Sequence, residues 1–234
     1  MNIEELETHY NYKFSTFYKQ LWNDGMLDWM GGRTTPFASD ESWEKTIYPQ
    51  IKEKPPVLLH TGGFDFEMLP YEEMLHFKFD EFVDTKKHKF IPFAKTEEGN
   101  IYAFYEGIET DGESAVVYVW DEINETEVLA KNFEDFIFRK MLEAIHDVDK
   151  DNLSADYTKE DFELYRIDIL KDLETVRPYL SEKYMEVLTA LYNKKDVGDG
   201  LFSFSLLSTE ELKSLITEYL SFSELNSVFE HEIE

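Results

Sequence analysis

The chain has no cysteine, which removes disulfides, thiolate metal sites and a cysteine nucleophile together. It is also poor in basic residues: 23 Lys and Arg stand against 50 Asp and Glu, a formal net charge of -27. A field of that sign repels nucleic-acid phosphates and anionic lipid heads. It attracts cationic partners, at rates that fall as salt rises. Neither a nucleic acid nor a membrane is therefore an expected partner, and a basic protein is. The same acid would also keep an aromatic-rich protein soluble, so charge alone does not choose between these uses. No apolar run approaches the length of a membrane span, and Met1 to Glu7 is acidic where a secretion signal is basic and then apolar. The expected location is the cytoplasm.

Catalytic signatures are missing as well. There is no Gly-x-Ser-x-Gly elbow, no Walker loop and no His-Glu-x-x-His. Gly31-Gly32 and Gly62-Gly63 lack the third glycine of a phosphate-cradling turn. None of the six histidines (His9, His60, His76, His88, His146, His231) pairs with another at helical ligand spacing, so solvated or capping roles are expected for them. Asp147, Asp149 and Asp151 have the alternate spacing that opens a calcium loop. Asn152, however, stands where the turn needs Gly, and Thr158 where a bidentate Glu would close the site. A solvated linker accounts for them better, and no metal or cofactor is expected. Carboxylate pairs for acid/base work cannot be picked out of 50 acids by spacing.

What is present is enough to fold. Hydrophobic residues make up 42% and aromatics 16% of 234 residues, enough for one large domain or a domain with an extension. Leu6, Tyr10, Phe14, Phe17, Tyr18, Leu21 and Trp22 follow a helical period, broken or unbroken, ending near Asn23-Asp24-Gly25. Met30 to Pro56 is punctuated by Gly and Pro and reads as a long loop with one short helix near Ser42 to Tyr48. Val57 to His60 is a short apolar run, and Phe64 to Pro70 alternates like a half-buried strand. Tyr71 to Phe82 fits a short helix after Pro70. Phe90 to Phe93, Ile101 to Tyr105 and Ala115 to Trp120 are strands separated by polar turns, and Val128-Leu129-Ala130 follows a third, acidic turn. A helix from Asn132 to Ile145 has an Asn cap, acids in its first turn and a stripe of Phe133, Phe136, Ile137, Met141, Leu142 and Ile145.

This order of Phe90-Ile91-Pro92-Phe93, a turn containing Gly99, a meander and a helix opening Asn132-Phe133-Glu134-Asp135-Phe136 resembles the SUKH superfamily (SMI1/KNR4-like). The aromatic N-terminal helix running into Asn23-Asp24-Gly25 is similar too, although the Leu-Pro step often found before the second helix is absent. The resemblance spans about residues 1 to 145. It implies an α+β fold, an antiparallel β-sheet meander flanked by N-terminal helices and a closing helix. It also implies a non-enzymatic role in protein binding. Bacterial members serve as immunity proteins against polymorphic toxins, many of them nucleases, and eukaryotic relatives regulate cell-wall synthesis. The family has no shared catalytic residues to transfer.

Beyond a charged stretch from His146 to Asn152 the pattern is helical. Phe162, Tyr165, Ile169, Leu173 and Val176 form one stripe, Leu180 to Leu191 a second, and Ser208 with Glu211 makes a capping-box match. The expectation is therefore a SUKH-like domain at 1–146 and an all-helical C-terminal extension at 152–234.

Within the meander the connections are acidic: Glu97 and Glu98, then Glu109, Asp111 and Glu113, then Asp121, Glu122, Glu125 and Glu127. These are the candidate partner-binding residues, a rim of carboxylates able to clamp a basic toxin domain. The plain alternative is that turns are polar. A small-molecule or enzymatic site hidden among scattered aromatics, and a regulatory scaffold, remain open beside it.

Overall fold

In a computed structural model the described residues are 2–33, 43–63, 65–146, 148–149, 159–195 and 203–233. They form two compact units. The first comprises Met1–Gln50, Asp65–Phe136 and Phe222–Glu234, the second Ile51–Phe64 and Ile137–Ser221. Both units are discontinuous along the chain.

The first unit opens with two helices, α1 (Ile3–Tyr10) and α2 (Thr16–Asn23). The apolar period is broken because Asn11 takes the left-handed conformation, φ 47°, and ends α1; Ser15 then caps α2 by accepting from the Tyr18 N–H at 3.1 Å. Glu7 fixes the turn between them. Its buried carboxylate accepts the Phe14 N–H at 3.1 Å and pairs with Lys19 at 2.6 Å and Lys13 at 3.0 Å. Burial alone would raise its pKa, but the two ammonium groups outweigh burial and hold it below the usual carboxylate range.

Two one-turn helices, α3 (Trp43–Thr46) and α4 (Tyr48–Ile51), stand where one was expected. Of the strand expected from Phe64 to Pro70, whose first residue lies outside the described residues, only β1 (Glu67–Met68) pairs in the sheet, and Val57 to His60 is turn. The helix expected to run to Phe82 ends early: α5 covers Tyr71–His76, and Phe77 is already extended at φ -60°, ψ 139°.

The sheet follows: β2 (Phe90–Lys95), β3 (Ile101–Thr110), β4 (Glu113–Val119) and β5 (Thr126–Ala130), with α6 (Phe133–Glu143) closing the run. Asn132 caps α6 as its sequence implied, accepting the Asp135 N–H at 2.9 Å. The β3–β4 hairpin turns through Asp111 and Gly112, φ 56° and 82°, the left-handed pair that matches strand twist in a two-residue loop.

The second unit is largely helical, with α7 (Lys159–Val176), α8 (Glu182–Tyr192) and α9 (Thr209–Tyr219), the last carrying the Ser208–Glu211 capping box. A two-stranded ribbon of β6 (Val148–Asp149) and β7 (Ser203–Phe204) accompanies them. Phe138 stacks on Tyr184 at 4.0 Å, Tyr192 donates to the Met141 carbonyl at 2.9 Å, and Asp172 accepts the backbone N–H groups of His60 and Thr61.

The C-terminal region is thus mainly helical, but its end is not. Residues 228–229 form β8, which pairs antiparallel with β5 and completes a six-stranded sheet of order β1-β2-β3-β4-β5-β8. Both faces of that sheet are buried. On one, Phe93, Tyr102 and Phe104 meet Tyr12 and Phe14 from the link between α1 and α2, Tyr18 from α2, and Phe133 and Phe136 from the start of α6. On the other, Phe90, Ile101, Ala103, Tyr105, Ala115, Val117, Val119 and Val128 are covered by Phe77, Phe79, Phe82, Phe222 and Phe229.

Candidate protein-binding site

Successive turns of an antiparallel meander fall at alternate ends of the sheet, and this sorts the acidic candidates into two groups. The β2–β3 turn at 96–100 and the β4–β5 turn at 120–125 share one end, where Ile101 is in register with Val119. Glu97, Glu98, Glu122 and Glu125 are exposed there and Asp121 is half-buried. Glu109, Asp111 and Glu113 lie at the far end of β3 and β4, around Tyr12. Burial, with Glu106, Glu113 and Glu109 nearby, pushes the Tyr12 phenol up to about 12. Glu127 is a strand residue, half-buried and in register with Tyr118 and Val228.

The first end is tightly built. The buried side chains of Thr96 and Asn100 accept the Asn100 N–H at 3.2 Å and the Asp121 N–H at 2.9 Å respectively, which ties one turn to the other. Gly99 sits against Asp121 at φ +93°; a Cβ there would stand 3.1 Å from Asp121 Oδ2. Between the two acidic turns and the segment after α5 lies a cavity of about 320 Å³, walled by Phe77, Phe79, Phe82, Ile101, Val119 and Trp120. Asp80 stands within hydrogen-bonding reach of Asp121 at this cavity. Burial first, then the Asp80 carboxyl and the charge of Glu122, raise the pKa of Asp121. Ile123, 46% exposed, projects from the same turn as an apolar side chain set among acids.

Asp80 and the three phenylalanines were not among the sequence candidates. Their signal was the alternation Phe77-Lys78-Phe79-Asp80, a period of two inside a stretch whose first residues are helical.

Two histidines depart from the solvated or capping roles expected of them. His88 and His231 are core side chains, 6% and 0% exposed. His88 Nδ1 lies 2.9 Å from the Tyr105 hydroxyl and His231 Nδ1 2.9 Å from Thr126 Oγ1. Of the calcium-like spacing, Asp147, Asp151, Asn152 and Thr158 lie outside the described residues, as does the side chain of Asp149. Among the described residues no group of three or more His, Asp or Glu is placed to hold a metal ion. No helix among them is long and apolar enough to cross a membrane.

The architecture is that of an α+β domain presenting one acidic, aromatic-lined end. The SMI1 / KNR4 family (SUKH-1) matches residues 2–139, more than half of the chain, and the protein belongs to that family. Such domains are in general non-enzymatic, and membership supports a general immunity-protein role with a protein as partner. No curated protein and no solved structure matches the chain. The family match stops before β8, so the sixth strand is supplied from outside it.

Proposed function

We propose that this protein is a cytoplasmic immunity protein that binds and neutralises a basic bacterial toxin domain, of the nuclease kind. The contact would be made through the sheet end bearing Glu97, Glu98, Asp121, Glu122 and Glu125. The observation that carries this reading is the grouping of those acids around an exposed Ile123 and an aromatic-walled cavity, inside the region the family matches. Polar rims steer and select, while a few desolvated apolar or aromatic contacts supply most of the energy. A net charge of -27 complements a nucleic-acid-binding cleft without imitating nucleic acid in shape.

The test is capture of the toxin domain encoded beside this gene, at low and then high salt, with rescue of cells expressing that toxin. The expected complex weakens by about tenfold or more between roughly 50 and 300 mM salt, because exposed charges are screened over about 10 Å at 0.1 M. A folded, monodisperse protein that captures no partner and protects no cell overturns the proposal.

A further inference from the structure

Building on the toxin-binding reading, we infer that the cavity beside Asp121 is a receptor for a single arginine side chain of the protein partner. Its walls are apolar and aromatic, from Phe79, Phe82, Ile101, Val119 and Trp120, which suits the methylene stem and the flat face of a guanidinium. Two carboxylates, Asp80 and Asp121, stand within hydrogen-bonding reach of each other at this cavity.

Such a pair repels itself when both groups are ionised, and a cation placed between them removes the repulsion. Among the described residues neither carboxylate has an ion pair within the fold. Lys95 also lines the cavity, but it is engaged by Glu73 at 2.6 Å and Glu67 at 3.9 Å, and Lys78 pairs with neither Asp80 nor Asp121. Among the described residues no cation is therefore paired with either carboxylate. Arginine fits better than lysine because its planar fork can donate to two carboxylates at once while stacking on an aromatic ring, whereas an ammonium is a compact, strongly hydrated point charge.

The site is held ready in advance. Asp121 is positioned through its own N–H to Asn100, and the absence of a Cβ at Gly99 leaves its carboxylate uncrowded, since a Cβ there would stand 3.1 Å from Oδ2.

The test uses the full chain labelled with ¹⁵N. N-acetyl-arginine-amide is titrated while the Trp120 indole resonance is followed, with N-acetyl-citrulline-amide, an uncharged isostere, as the control. Saturable shifts with the arginine compound, at least about tenfold weaker in D80N/D121N and absent with citrulline, are expected. D80N/D121N removes a like-charge contact, so it should melt at or above the wild-type temperature, which separates lost binding from lost folding. Equal shifts with citrulline, or arginine binding undiminished in the double variant, overturn the inference. The variant also separates the two proposals. A toxin captured equally well by D80N/D121N sinks the arginine receptor and leaves the toxin reading standing. Arginine binding in a protein that captures no toxin does the reverse.

Discussion

The two faces of the central sheet are covered by different kinds of chain. Over Phe93, Tyr102 and Phe104 lie Tyr18 of α2, Phe133 and Phe136 of α6, and Tyr12 and Phe14 of the short link between α1 and α2, with Phe14, Tyr18 and Phe104 meeting one another at 4.7 to 5.8 Å. Over Phe90 and Tyr105 lie largely irregular segments from far apart, residues 77–89 and the C-terminal 222–233. Phe229 stacks on Tyr105 at 4.8 Å and His88 at 5.3 Å, and the backbone of 231–233 is clasped by Asn124, Asp84 and Phe82. One face is closed by secondary structure that forms locally, the other by a strap that must arrive after a long loop has closed. The cavity and the acid pair sit on the strapped face. A region assembled from few, separate contacts is where a binding surface can vary at least cost to the fold.

The sharpest break of this comparison is to end the chain at Ser221. Removing β8, Phe222, Phe229 and His231 uncovers the apolar face of β3, β4 and β5 and frees the edge of β5. The expected loss is comparable to the whole stability of a small domain, about 5 kcal/mol or more. It would appear as a broadened, low-temperature melt with binding of a hydrophobic dye. A truncated protein that melts cooperatively near the wild-type temperature would mean that the strap is decoration.

Next in size are matched deletions, one on each face. Phe93 is 0% exposed and touches Phe104, Phe133 and Phe136; Phe93→Ala should cost about 3–5 kcal/mol by urea unfolding. Phe229 is half-buried on a two-residue edge strand, so Phe229→Ala should cost about 1–2 kcal/mol. It should also release the amides of 227–233 to hydrogen exchange without exposing those of β2 and β3. Equal costs would put the two faces in one cooperative unit and dissolve the distinction.

The same distinction explains what could be read from the sequence. The helical stripe of Leu6, Tyr18 and Leu21, the cap at Asn132, the Ser208–Glu211 box and the strands of the meander are local signals, and each stands where its period or cap placed it. The strap left no such trace. A strand of two residues is too short to show a period, and its partner Thr126 lies about a hundred positions away. Phe77, Phe79 and Phe82 could be shared out between a helix and an extended chain, and only the end of α5 at His76 decided it. The acidic turns were legible one by one. Their division between two ends followed from the parity of a meander, which the sequence order already implied for Glu97 and Asp121 against Asp111.

The smallest effect expected is a pH dependence confined to the strapped face. Burial keeps His88 and His231 below the ordinary histidine pKa of 6.5. For His88 the charge of Lys87 adds to this while Asp84 opposes it. For His231, Glu232 and a bond to the Glu125 backbone oppose it, and the charge of His88 adds to it. Each ring has a buried Nε2 with no hydrogen-bond partner among the described residues, so a second proton there would be an unpaired charge in an apolar site. Below about 6.5 the unfolded chain takes up protons that the folded chain refuses, so the stability these residues contribute is present at neutral pH and is lost as pH falls from 6.5 toward their depressed folded values. Hydrogen exchange at pH 7.5 and 5.5, corrected for intrinsic rates, should show the amides of Val128 and Glu232 losing protection at the lower pH while those of β2 and β3 facing the N-terminal helices keep theirs. Carboxylates act across the whole molecule, so the control is His88→Gln/His231→Gln, whose protection at Val128 should change less with pH than the wild type's. Uniform loss over both faces, or an unchanged slope in the double variant, would place the acid sensitivity elsewhere and leave the two histidines as packing alone.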